Sequence, residues 1–141
     1  MQYHTHDIQI YYEDTDLSGL VYHANYLKFF ERAREHLLGA GELVRLYHDI
    51  GVGFVVYKAE LTFREGARLG NLLEVRTRVV VDGRYRAIFH QSLWRPGRET
   101  PMVDSAIQLV CVDQTQNLVP IPEHLISRLA EFAPPPPPSA T

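Results

Sequence analysis

One cysteine in 141 residues, Cys111, excludes an intrachain disulfide and any zinc site built on cysteine pairs. That scarcity suits a reducing compartment. No apolar run approaches the ~20 residues that cross a bilayer, and Met1-Gln2-Tyr3-His4 lacks the basic-then-apolar order of a secretory signal. Neither sign of charge dominates. Lys and Arg number 14 against 17 Asp and Glu, a formal charge of −3, so nothing generic draws the chain to nucleic acid or to an anionic membrane. Five of the nine prolines are confined to Pro134–Pro138. Such a run offers no backbone donors and prefers the polyproline II form. Residues 1–132 are therefore expected to form one domain and 133–141 a solvated, Pro-rich tail. With 45% apolar and 22% charged residues the body has ordinary globular composition, which excludes wholesale disorder. The expectation is a soluble, cytoplasmic, single-domain protein.

What is present is mostly period-two alternation. Val55, Tyr57, Ala59, Leu61 and Phe63 fall on one face of a strand, with Lys58, Glu60, Thr62 and Arg64 opposite. Leu73, Val75, Thr77, Val79 and Val81 repeat the pattern. Asp82-Gly83 signals a two-residue hairpin, and Tyr85, Ala87, Phe89, Gln91 and Leu93 return. Met102–Val112 reads as a fourth long strand and Ile8, Ile10 and Tyr12 as a short first one.

Between Tyr22 and Leu38 the period changes to threes and fours. Tyr22, Tyr26, Phe29, Phe30, Ala33, Leu37 and Leu38 make an apolar stripe, and Gly39 and Gly41 mark its end. Pro122–Leu129 reads as a short terminal helix opened by proline. One long helix and antiparallel strands define an α+β layer, the helix covering one face of a curved sheet. The other face and the edges are left for a partner subunit.

The chemistry-bearing stretch joins the first strand to the long helix. Glu13, Asp14 and Asp16 crowd three carboxylates into four residues, and Gly19, His23 and Asn25 follow. A solvated acidic turn would account for them. A helix start, however, also offers unpaired N–H groups and a positive dipole end, which polarise a carbonyl and stabilise an oxyanion. A carboxylate facing that point acts as nucleophile or as general base for water. Asp14-x-Asp16-x-Ser18 has the look of a haloacid-dehalogenase-type phosphatase motif, but no alternating βα units follow it.

Tyr12-Glu13-Asp14-Thr15-Asp16, Gly19-Leu20-Val21-Tyr22-His23-Ala24-Asn25-Tyr26-Leu27 and Phe30-Glu31-Arg32-Ala33-Arg34 together resemble the YbgC-like branch of the 4-hydroxybenzoyl-CoA thioesterase family. The likeness continues through Phe54-Val55-Val56, Leu72–Thr77 and Val110–Asp113, and so covers roughly residues 5–125. It implies a hotdog fold, a long central helix wrapped by a curved antiparallel sheet. It also implies homodimers or homotetramers with active sites between subunits. Carried over, Asp16 is the catalytic aspartate acting on an acyl-CoA thioester. His23 is the second catalytic residue, its backbone N–H polarising the thioester carbonyl. The implied reaction yields a free acid and CoA, with CoA part of the substrate and no cofactor or metal. Two departures stand out: Leu17-Ser18-Gly19 replaces smaller residues, and Arg68-Leu69-Gly70-Asn71 replaces an acidic pair.

Around these residues, Tyr26 is expected as core or pocket wall, as is Tyr22, and Asn25 as a brace for the Asp16 loop. Tyr26, Asn25 and Arg84 are the substrate-binding candidates, Arg84 because arginine suits CoA phosphates. Glu13 and Asp14 are expected to be structural or solvated. His4 and His6 read as surface residues rather than metal ligands, and Cys111 as a small buried hydrophobe. Two rival functions are a non-catalytic hotdog module that binds acyl groups and a hotdog dehydratase. The second needs a differently placed His and acid pair.

Overall fold

The computed structural model describes residues 3–135. Part of the expected 133–141 tail, residues 136–141, lies outside the described residues. The chain runs β1 (His4–Gln9), a 3-10 turn (Tyr12–Asp14), α1 (Asn25–Leu38), α2 (Ala40–Arg45) and a one-turn extension (Leu46–Ile50). It continues through β2 (Gly53–Phe63), β3 (Leu72–Asp82), β4 (Arg86–Trp94), β5 (Val103–Val112), β6 (Leu118–Val119) and α3 (Glu123–Ala130). The five longer strands form an antiparallel sheet in the order β1-β3-β4-β5-β2, and β6 pairs with β5. β1 and β2 are thus the edges.

Strict alternation builds the core face of the three central strands. Leu73, Val75, Thr77 and Val79 of β3 are buried, as are Ala87, Phe89, Gln91 and Leu93 of β4, and Val103, Ser105, Ile107, Leu109 and Cys111 of β5. α1 lays Tyr26, Phe29, Phe30, Ala33, Leu37 and Leu38 against that face. Each large side chain so removed from water contributes about 1.5–3 kcal/mol before entropy is counted. This is the α+β, helix-on-sheet architecture that the periodicities predict. Cys111 is fully buried in it, and burial pushes its thiol up to about 12, so it packs as a hydrophobe.

Four local expectations are corrected. The alternation through β2 is broken by a bulge between Val56 and Lys58. Phe54 and Val56 therefore join Ala59, Leu61 and Phe63 on the helix side, opposite buried Cys111, Leu109, Ile107, Ser105 and Val103, and Tyr57 turns outward. The β3–β4 connection is longer than two residues, because Asp82 already pairs with Arg86 and leaves Gly83-Arg84-Tyr85 as the loop. Only Gly83 in it has positive φ, at 68°. α1 starts at Asn25 rather than Tyr22, and Tyr22 is half exposed. His4 and His6 are half-buried rather than surface residues. They lie across from Thr77 and Val75 on the face that packs against α1, and His6 stacks on His36 with ring centroids 4.1 Å apart.

Arg34 falls on the buried stripe, although its charge would place it outside. Its Nη1 donates to Gln91 Oε1 at 3.0 Å, and Gln91 Nε2 donates to the Phe30 carbonyl and to Thr77 Oγ1. Ser105 Oγ donates to the Gln91 carbonyl at 2.8 Å. Burial lowers the Arg34 pKa to about 10, with the Glu31 charge opposing, so the guanidinium stays charged at neutral pH.

Candidate active site

The loop between β1 and α1 is folded on itself before it reaches the helix. Asp16 N–H donates to the Leu20 carbonyl at 2.8 Å, Gly19 N–H returns to the Asp16 carbonyl at 3.1 Å, and Thr15 bridges Val21. Gly19 sits at φ 81°, where a side chain would be strained. A second layer of bonds fixes this small hairpin to the body. Val21 N–H donates to the Ala67 carbonyl at 2.9 Å, and Leu20 bridges Arg68. The Asp14 carbonyl accepts from Tyr22 N–H at 3.0 Å and from Asn25 Nδ2 at 2.9 Å. Asp14 Oδ2 in turn accepts from Tyr11 N–H.

Asp16 itself projects into solvent. Its Oδ1 accepts from Ser18 Oγ at 2.5 Å and from Ser18 N–H at 2.9 Å. These bonds favour the anion and hold the carboxyl below its ordinary pKa, the Ser18 hydroxyl being the largest cause. The group is therefore ionised at neutral pH. Ser18 is a residue that motif reading passes over as a mere departure; the Asp-x-Ser spacing of an Asx turn is the signal that finds it.

At the amino end of α1, no side chain caps the first turn. Asn25 N–H is taken by the Tyr22 carbonyl, whereas the N–H groups of His23 and Ala24 meet no acceptor among the described residues. They remain available, with the dipole behind them. The His23 ring is exposed and leans on Tyr22, centroids 4.5 Å apart. Tyr26 is buried beneath the loop, its hydroxyl oxygen accepting Ala67 N–H at 3.0 Å and its ring against Phe63. Burial raises the Tyr26 pKa, the Ala67 bond opposes, and the Asp16 charge adds to the rise.

The structure thus gathers Asp16, His23, Asn25 and Tyr26 around one helix end. Asn25 spends its amide on the Asp14 carbonyl, bracing the loop. Arg84 is not gathered: it lies in the β3–β4 loop, beyond the far end of an 11-residue strand, about 33 Å along the sheet at ~3.3 Å per residue. Leu17, beside Asp16, is fully exposed. Among the described residues no His, Cys, Asp and Glu side chains converge as a metal-binding group, and no helix is long and apolar enough to cross a membrane.

The chain belongs to the thioesterase-like superfamily, whose family model matches residues 11–129. It is 34% identical over 113 residues to the acyl-CoA thioester hydrolase YbgC of Escherichia coli O6:H1, covering 75% of this chain and 79% of that one. It is 38% identical over 109 residues to the acyl-CoA thioesterase YbgC of Haemophilus influenzae, with coverage of 75% and 78%. A probable thioesterase from Bartonella henselae superposes with a TM-score of 0.78 at 29% identity, covering 85% of this chain and 99% of that one. Slr0204 from Synechocystis, a 1,4-dihydroxy-2-naphthoyl-CoA thioesterase, superposes with a TM-score of 0.83 over 94% and 99% of the chains. At 20% identity that is a likeness of fold. The fold is the hotdog fold, and the chain is a thioester hydrolase of the YbgC-like branch.

Proposed function

We propose that the protein hydrolyses an acyl-CoA thioester to the free carboxylic acid and CoA, with Asp16 as the acting carboxylate. The observation that carries this is the ionised, solvent-facing Asp16 held by Ser18 next to the open amino end of α1. The thioester carbonyl rests against the N–H groups of His23 and Ala24, which stabilise the oxyanion formed as the nucleophile adds, before it collapses and expels the thiolate. Asp16 either attacks the carbonyl carbon, giving a mixed anhydride that water then opens, or takes a proton from the attacking water. In both routes the CoA thiolate leaves readily, so the chemistry calls on neither a metal nor a cofactor. Asn25 and Tyr26 hold the loop and floor of the site, and Arg84 of a neighbouring subunit is the candidate for CoA phosphate contact.

The site reads as completed by a second copy of the chain. β2 is paired on one side by β5 and is an edge on the other. Its Val55, Val56, Tyr57 and Phe63 are exposed, an arrangement that templates further strand pairing. A two-fold axis at Ala59 sets Lys58 opposite the partner's Glu60 and Glu60 opposite the partner's Lys58, so the edge is complementary to itself. The same pairing shelters Asp16, which the single subunit leaves open to water.

The test is hydrolysis of a panel from acetyl-CoA to palmitoyl-CoA, with an aryl-CoA included, by wild type and Asp16→Asn. We expect kcat to drop by ~10²–10⁴ or more in the variant with an unchanged circular dichroism spectrum. An unimpaired variant refutes the assignment. Single turnover in heavy-oxygen water tests the anhydride route, because label in the Asp16 carboxylate arises only when water opens an anhydride at the Asp16 carbonyl carbon.

A further inference from the structure

Arg34 is a buried cation that the catalytic chemistry does not use. It is 7% exposed, and Gln91 takes its Nη1. It joins none of the ion pairs among the described residues. An uncompensated guanidinium in a core is costly unless its remaining donors find acceptors. Those donors border a cleft of about 380 Å³ between α1, α2 and the β2 edge, walled by Leu38, Leu43, Phe54, Val56 and Leu109. Apolar walls with one buried polar group are the usual make-up of a small-molecule site, and the volume suits a medium-sized acyl group.

Topology says which active site this cleft serves. In each subunit Tyr26 at the start of α1 touches Phe63 at the end of β2, while the cleft takes Gly53, Phe54 and Val56 from the beginning of β2. Helix and strand therefore run in opposite directions. Antiparallel pairing about Ala59 carries the Phe63 end of one β2 to the Val55 end of the other. The Asp16 loop of one subunit then faces the Arg34 cleft of its partner, not its own. We propose that Arg34 acts across this interface as a specificity-determining residue, donating a hydrogen bond to an oxygen at the far end of the acyl group that the partner's Asp16 cleaves. This inference rests on the two-fold, Asp16-dependent thioesterase reading. Glu31 and Glu35 also border the cleft, leaving it with a net charge of −1 around Arg34. A terminal carboxylate is therefore repelled, and a neutral hydroxyl or keto oxygen is the acceptor that fits.

The experiment compares hexanoyl-CoA, 6-hydroxyhexanoyl-CoA and adipyl-CoA. Wild type is expected to favour the hydroxyl-bearing chain. Arg34→Met is expected to lower its kcat/KM tenfold or more, as befits loss of a charge-assisted hydrogen bond, and to change hexanoyl-CoA by less than threefold. Equal losses on both substrates overturn the proposal and leave a structural role only. Preference for adipyl-CoA overturns the neutral-oxygen assignment. Should Arg34→Met fail to fold, Leu43→Trp narrows the same cleft, and it must cut activity on hexanoyl-CoA far more than on acetyl-CoA.

Mixed dimers of Asp16→Asn and Arg34→Met chains, purified through two tags, decide the geometry. Action across the interface leaves one site with wild-type Asp16 and the partner's wild-type Arg34, so about half of the wild-type 6-hydroxyhexanoyl-CoA activity returns. Action within one chain leaves no such site, and the mixed dimer keeps the Arg34→Met profile. Loss of all activity in Asp16→Asn homodimers tests the thioesterase reading separately, and a monomer in sedimentation overturns the interface.

Discussion

Ser18 grips Asp16 twice: the hydroxyl lies 2.5 Å and the backbone N–H 2.9 Å from the same carboxylate oxygen, Oδ1. The other oxygen, Oδ2, accepts from neither of these donors. Ser18→Ala removes the largest of the causes that lower the Asp16 pKa and keeps the backbone contributions, that of the Ser18 N–H first among them. In the proposed mechanism Asp16 acts only when ionised, so the rate is expected to fall as pH drops through its pKa. In Ser18→Ala that acid limb is expected to move to higher pH, read from kcat/KM against pH on one acyl-CoA. An unmoved limb shows that Ser18 does not tune the reacting carboxylate.

Gln91 is the hub of the only fully buried side-chain network among the described residues, joining Arg34, Thr77 and the Phe30 carbonyl. Gln91→Leu keeps the volume but strands Arg34 Nη1 in the core. The expected loss of stability is roughly 2–4 kcal/mol, measured as a lower urea midpoint at an unchanged slope.

Lys58 and Glu60 form an ion pair within β2 at 2.8 Å. In the proposed dimer, with its two-fold at Ala59, the same two residues face their partner's opposite charges. Lys58→Glu is expected to weaken the dimer about tenfold or more in sedimentation equilibrium, since like charges then stand directly opposite. The double swap, Lys58→Glu with Glu60→Lys, is expected to restore it. Recovery is the decisive result, because a merely misfolded strand would not be repaired by a second charge reversal.

His4 and His6 give the fold a pH limit. Burial is the chief cause lowering both pKa values; Arg128, His6 and His36 add to it at His4, and His36 and Arg32 at His6, where Asp7 opposes. His4 Nδ1 is buried without a hydrogen-bond partner. A histidine whose folded pKa is lowered takes up its proton more readily when unfolded, so stability is lost as pH falls below the ordinary value of about 6.5. Thermal melts are expected to show the midpoint dropping from about pH 7 to about pH 5. His4→Gln with His6→Gln is expected to flatten that slope; an equally steep variant refutes the link.

The alternating and three-four periodicities by themselves determined the elements: one apolar stripe and three strictly alternating strands admit little besides a helix on an antiparallel sheet. The loop stretch was legible as a carboxylate turn before a helix start, and it was the family resemblance carried by that stretch that singled out Asp16 and His23 as candidates. Tertiary structure decided what depends on contacts between distant segments. The β2 bulge is set by pairing with β5, so alternation alone assigned Val55 and Tyr57 to the wrong face. His4 and His6 are turned inward by β3 and covered by α1 and α3, which no N-terminal spacing reveals. Arg34 stands at a stripe position, four residues after Phe30 and three before Leu37, but its charge argued for solvent. Only Gln91, 57 residues away, makes its burial tolerable. Local pattern reports what a segment's own geometry demands, whereas burial of a polar group is settled by whether the rest of the fold delivers it a partner.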